Sequence, residues 1–86
     1  MAFTLFGTDG CHLCEDAGRL LQQAATLLPV TYRYEDIAND DRLVERYGIR
    51  IPVIRHDGSC DELGWPFDFA HLLSWLTVHH SPEKEN

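Results

Sequence analysis

The chain is short of basic residues, has an odd number of cysteines and lacks any long apolar run. Seven Lys and Arg stand against fourteen Asp and Glu, giving a formal charge of −7 over 86 residues. A surface of that sign repels phosphate backbones. Arg42, Arg46, Arg50 and Arg55 are scattered without interleaved aromatic platforms, so no nucleic-acid partner is expected. Polar or charged residues interrupt every apolar stretch after a few positions, so no membrane-spanning helix is expected. Met1 and Ala2 lead straight into a β-prone run, without a basic region and a long apolar block. A secretory leader is therefore not expected, and the default compartment is the cytoplasm. Three cysteines fit a disulfide framework poorly, and in a reducing compartment paired thiols serve catalysis, redox sensing or metal binding. Repeats, linkers and low-complexity tracts are missing too. One domain is expected, as a monomer, with the 44% hydrophobic content supplying a modest core.

What is present is the stretch FTLFGTDGCHLCEDAGRLL, which opens at Phe3. A short apolar strand over 3–6 runs into Gly7 and the Asp9-Gly10 turn signal, and Cys11 and Cys14 then stand where a helix should begin. Ala17, Leu20, Leu21, Ala24 and Leu28 recur at helical spacing, which predicts a helix over 12–28 closed by Pro29. Glu15 and Asp16 lie in its first turn, where the dipole favours acids. Alternation in VTYRY predicts a second strand over 30–34 with one face on the core, parallel to the first through a right-handed crossover.

Asn39 or Asp40 can cap a short helix that ends at Gly48, with Leu43, Val44 and Tyr47 facing inward. Two strands, 51–56 and 59–63, follow across the Asp57-Gly58 hairpin signal. Past Gly64-Trp65-Pro66, the residues Phe69, Leu72, Leu73 and Leu76 mark a third helix over 67–78. The tail, 79–86, has no apolar period and is expected to be flexible, which sets the domain at 1–78. The order is β-α-β-α-β-β-α, an α/β domain whose four-stranded mixed sheet carries helices on both faces.

Thiolate, not thiol, attacks a disulfide, so the reactive cysteine belongs where the unsatisfied N–H groups of a helix start stabilise negative charge. Cys11 stands there and is the expected nucleophile. Cys14, one turn later, is within reach to resolve a mixed disulfide on Cys11 and release the reduced substrate. His12 between them either tunes the Cys11 thiolate when protonated or points to solvent. Asp9, Glu15 and Asp16 oppose the thiolate through like charge, so the nucleophile should be less acidic than in strongly oxidising thiol proteins, and the pair suited to reducing substrates.

Cys11-His12-Leu13-Cys14 after the first strand, Ile51-Pro52-Val53 opening the hairpin, and Gly64 followed by Asp68 near the last helix together resemble the glutaredoxin-like group of the thioredoxin-fold superfamily. The similarity runs from Phe3 to Val78 and is nearest the small bacterial glutaredoxin-like domains. It implies a thioredoxin/glutaredoxin-like fold and dithiol exchange with disulfide-containing proteins or glutathione mixed disulfides. It implies no tightly bound cofactor, with glutathione as a possible co-substrate. It also implies a cis peptide before Pro52, lying against the cysteines and leaving the Ile51 backbone to pair with a bound peptide or glutathione. Gly64 and Asp68 match part of a glutathione site. Their plain reading, like that of Arg46 and Arg50, is as surface or capping residues.

The chain departs from the group in three places. The motif is C-H-L-C instead of C-P-Y-C, Thr8-Asp9-Gly10 stands where a basic residue is usual, and a single Gly64 replaces a Gly-Gly pair. Trp65 can line the groove or pack under the third helix. Cys60 reads as a small buried hydrophobe in a hairpin strand, ahead of a regulatory or metal role. A thiolate metal site for zinc or an iron–sulfur cluster is a rival reading, opposed by the lack of a second Cys or His pair at finger spacing, and no metal is expected. A non-enzymatic binding module is another, opposed by both cysteines being kept.

Overall fold

β1 (Ala2–Gly7) is the strand around which the computed structural model is built; residues 2–80 are described. It is followed by α1 (His12–Ala25), β2 (Thr31–Asp36), a 3-10 turn (Ile37–Asn39), α2 (Asp41–Tyr47), β3 (Val53–His56), β4 (Glu62–Gly64) and α3 (Phe69–His80). The sheet order is β2-β1-β3-β4, with β1 and β2 parallel and the other two pairs antiparallel. Side chains alternate across a strand, and the two faces of β1 differ accordingly. Phe3 and Leu5 join Leu21, Ala24, Ile54, Leu72 and Leu76 in the larger core under α1 and α3, whereas Phe6 meets Ile37, Tyr47 and Val53 beside α2.

α1 ends at Ala25, three residues short of the expected limit, because the chain tightens there. Thr26 N–H and its hydroxyl both donate to the Gln23 carbonyl, at 3.1 and 2.7 Å, and Leu27 N–H returns to Ala24 at 2.9 Å. β2 begins one residue late and does not present a face to the core: none of its residues is buried, and Tyr32 and Tyr34 are exposed. It is an edge strand, and the contact expected of it is made instead by Val30, just before it. Asp40 caps α2 through Arg42 N–H at 2.8 Å, and Tyr47 is buried, but Val44 is 44% exposed rather than inward. Two turns of helix offer the sheet one apolar stripe, and Tyr47 with Leu43 fills it.

The hairpin does not turn on two residues. The connection is 57–61, organised by His56, whose Nδ1 lies 2.8 Å from Ser59 Oγ and whose carbonyl accepts from Cys60 N–H at 2.7 Å. Cys60 takes a left-handed φ of 66° and is exposed, so it is neither in a strand nor buried as expected. His56 itself is buried; loss of solvent, then the neighbouring His79, push its pKa below the usual 6.5.

α3 starts two residues late because Asp68 accepts from His71 N–H at 2.8 Å, leaving Phe67 as a core residue ahead of the helix. It also runs two residues further than expected. His79, assigned to the tail by its sequence, is in the last turn, with its ring 4.7 Å from Trp75 and 5.0 Å from His56. The rest of the expected tail, 81–86, lies outside the described residues.

Candidate active site

The buried end of β1 at Gly7 and the turn over 8–10 deliver Cys11 to the mouth of α1. Gly10 adopts φ +79°, a conformation that glycine takes freely, and Cys11 N–H closes the turn on Thr8 O at 3.3 Å. Cys11 is then the N-cap of α1, in extended backbone geometry, with its sulfur accepting the Cys14 N–H at 3.1 Å. A cap is normally an oxygen from Ser, Thr, Asp or Asn. Here sulfur occupies that place, so a thiolate at Cys11 meets a backbone donor and the positive end of the helix dipole.

Cys14 follows one turn on, at a Cα–Cα separation of 5.2 Å, and the two sulfurs are at disulfide distance. Their exposures differ. Cys11 is half-buried, whereas Cys14 is only 4% exposed. What covers Cys14 is Gly7, which in the sequence reads only as the boundary of the first strand. A Cβ there would lie 3.0 Å from both the Cys14 Cβ and Sγ and 3.1 Å from the Tyr34 ring. Gly7→Ala should therefore lower stability by about 1–3 kcal/mol, because Cys14 is held by its helix and cannot retreat. An unchanged urea midpoint would show that the wall yields.

Pro52 borders the same wall. Phe6 pairs with Val53, so the antiparallel register continued by one residue sets Pro52 opposite Gly7. Pro52 is fully buried, the Ile51–Pro52 peptide is cis, and the Pro52 carbonyl accepts from Trp65 N–H at 3.2 Å. Ile51 is half-buried, and its N–H is engaged with the Tyr47 carbonyl at 3.0 Å. Only the carbonyl edge of Ile51 thus remains for a ligand, not the whole peptide unit implied by the resemblance.

Gly64 ends β4 opposite Val53, exposed, with open space above its Cα. Asp68 is exposed and acts as the cap of α3. Trp65 lies edge-on to Phe67, with ring centroids 4.9 Å apart, and packs against the larger core. Arg46 and Arg50 both turn to Glu62, at 3.9 and 2.6 Å. His12 is exposed, its Nε2 4.0 Å from the Asp16 carboxylate. Cys60 lies in the loop that follows β3, with the length of that strand between it and Pro52. Among the described residues no three His, Cys, Asp or Glu side chains converge as a metal-ligand set.

A cavity of about 300 Å³ opens beside Cys14, walled by Thr8, Asp9, Glu15 and Tyr34 among others. Burial, then Asp36 and Asp9, raise the Tyr34 phenol above its usual 10.0. Tyr34 could not be assigned to the site from sequence, because its place depends on β2 being the strand hydrogen-bonded to β1. The parallel register pairs Gly7 with Asp36 and Leu5 with Tyr34.

No helix among the described residues is long and apolar enough to cross a membrane. A family model described as a glutaredoxin-like domain (DUF836) matches residues 2–77. A Northeast Structural Genomics target protein from X. campestris is 38% identical, with a TM-score of 0.77 over 88% of this chain and 96% of that one. A mutant thioredoxin from Halobacterium salinarum NRC-1 is similar at 20% identity and a TM-score of 0.72, over 91% of this chain and 73% of that one. Thioredoxin 1 from Thermosipho africanus TCF52B is similar at 14% identity and a TM-score of 0.70, over 100% and 99%. These two likenesses show the thioredoxin fold. No curated protein matches the chain.

Proposed function

The chain belongs to the glutaredoxin-like domain family, and from that premise we propose that it is a thiol–disulfide oxidoreductase working through both cysteines. One observation carries this reading: a half-exposed sulfur caps a helix while its partner, at disulfide distance, is buried behind it. In the reduced protein, the Cys11 thiolate attacks one sulfur of a substrate disulfide. A Cys11–substrate disulfide forms, the substrate S–S bond breaks, and the departing thiolate takes a proton from solvent. Cys14 then loses its proton, attacks Cys11 Sγ and expels the second substrate thiol. The substrate gains two electrons and two protons, and the dithiol becomes the Cys11–Cys14 disulfide. A thiol reductant, either glutathione or a dithiol protein, returns the pair to the reduced state.

The substrate groove in this reading runs past Pro52, with the Ile51 carbonyl edge and Gly64 beside it and Asp68 at its outer end. Disulfide-containing proteins and glutathione mixed disulfides are the substrates, the chain acts as a monomer without a bound cofactor, and the reducing cytoplasm suits the chemistry. His12 is a tuning residue only in its protonated form, and its exposure and the nearby Asp16 limit that role.

The test is reduction of an insulin-type protein disulfide and a glutathione mixed disulfide by wild type and Cys11→Ser. Turnover of at least one substrate, falling by about 10³-fold or more in Cys11→Ser, is the expected result. An unaffected Cys11→Ser protein, or no turnover of either substrate, would leave a binding module.

A further inference from the structure

We propose that the cavity beside Cys14 is a subsite for a cationic side chain, a lysine ammonium or an arginine guanidinium next to the disulfide of the substrate protein. This rests on the oxidoreductase reading and names the substrate class within it. The cavity, about 300 Å³, has Cys14, the partner of Cys11, in its wall, with Asp9, Glu15 and Tyr34 around it. That volume is at the low end for small-molecule pockets, about 300–1,000 Å³, and suits a single side chain.

The charge of the lining has one sign. Asp9 and Glu15 are exposed, and among the described residues neither carboxylate has a cation within ion-pair distance. The arginines that could neutralise them are committed elsewhere: Arg19 to Asp16 at 2.8 Å, Arg33 to Glu35 at 2.8 Å, and Arg46 and Arg50 to Glu62. Tyr34, 47% exposed, adds an aromatic surface on which an ammonium or guanidinium can rest. A cleft of one charge next to the cysteine pair raises the encounter rate of oppositely charged substrates and lowers that of like-charged ones. Glutathione carries two carboxylates and one ammonium, so the same lining works against it. The subsite thus divides the two substrates that the oxidoreductase reading admits, in favour of basic protein disulfides.

Three pentapeptide homodisulfides decide the matter, identical except that lysine, serine or glutamate flanks the single cysteine. At low ionic strength kcat/KM should fall in the order lysine, serine, glutamate, with about tenfold between the first two. In a combined Asp9→Asn, Glu15→Gln variant the lysine-to-serine ratio should approach one. The ratio is the readout because removing the acids also alters the reactivity of Cys11 towards all three peptides. For wild type alone, raising salt from about 20 mM to about 500 mM should collapse the ratio as screening shortens the reach of the carboxylates. A ratio near one at low salt, or one that survives in the double variant whatever its response to salt, overturns the subsite while leaving the oxidoreductase reading intact. Reaction with none of the three peptides overturns the subsite, and the oxidoreductase reading falls with it only where the insulin-type disulfide and the glutathione mixed disulfide are left unreduced as well.

Discussion

Cys14→Ser protein, with the exposed Cys60 also replaced by serine, reduced and then mixed with a disulfide-containing protein, should be recovered covalently joined to it, one partner per chain and through Cys11. The expectation follows from the unequal placement of the sulfurs. Cys11 is half-exposed at the helix cap, while Cys14 is 4% exposed behind Gly7, so an incoming disulfide reaches the first and not the second. With Cys14 in place, resolution is intramolecular: its Cα is 5.2 Å from that of Cys11, and no diffusing thiol can match that local concentration. Serine at 14 fits the same space but cannot break a disulfide. Turnover on protein disulfides should then fall by about 10²-fold or more, the remainder depending on external thiol. Mass spectrometry after tryptic digestion reads the attachment point. An adduct on Cys14 of a Cys11→Ser, Cys60→Ser protein would reverse the two roles. Full turnover of a glutathione mixed disulfide by Cys14→Ser would transfer the resolving step to free glutathione.

The same placement shows why part of this protein can be read from its sequence and part cannot. The cysteine pair at the strand-to-helix junction is a local feature. It needs only a β-prone run, a turn signal and a helical period, all of which lie within twenty residues, and the structure has Cys11 capping the helix it should open. The order of elements was legible for the same reason. What failed depended on distant parts of the chain. Val30 and the tyrosines of β2 alternate as a half-buried strand should, yet β2 lies at the sheet edge, and nothing in its own residues says so. Asp57-Gly58 is a turn signal, but the buried His56 recruits Ser59 and lengthens the loop, which carries Cys60 out of the strand and into solvent. Gly7 and Tyr34 enter the site only through register, because one must lie against Cys14 and the other beside it. The engaged Ile51 N–H is not of this kind: its acceptor, the Tyr47 carbonyl at the end of α2, lies only four residues back.

Replacing that residue, as Tyr47→Ala, should cost about 3–5 kcal/mol, a large share of the roughly 5–15 kcal/mol available to a domain of this kind. Tyr47 is fully buried, stacks on Phe6 with centroids 4.3 Å apart, and is the main side chain by which α2 grips the sheet. Its hydroxyl donates to Glu62 Oε2 at 2.6 Å, while Arg50 donates to Oε1 at 2.6 Å and passes over the ring at 5.2 Å. Tyr47→Phe keeps the stack and loses the hydroxyl, and should cost about 1–3 kcal/mol, since the acceptor is charged and half-buried. Burial works against the Glu62 charge, but the hydrogen bonds from Tyr47 and Arg50 and the charges of Arg50 and Arg46 outweigh it, so its folded pKa lies below the usual 4.5. A carboxylate lowered in this way stabilises the fold at pH values above 4.5, and that contribution is lost as the pH falls through 4.5 towards the folded value. The penalty of Tyr47→Phe, read from urea midpoints, should therefore shrink on going from about pH 7 to about pH 3. A penalty that stays constant over this range would show that the cost does not come from the charge of Glu62. Tyr47→Ala should also free the segment before Pro52, because the carbonyl that holds Ile51 N–H is fixed by this side chain, and peptide turnover should drop even where the variant remains folded.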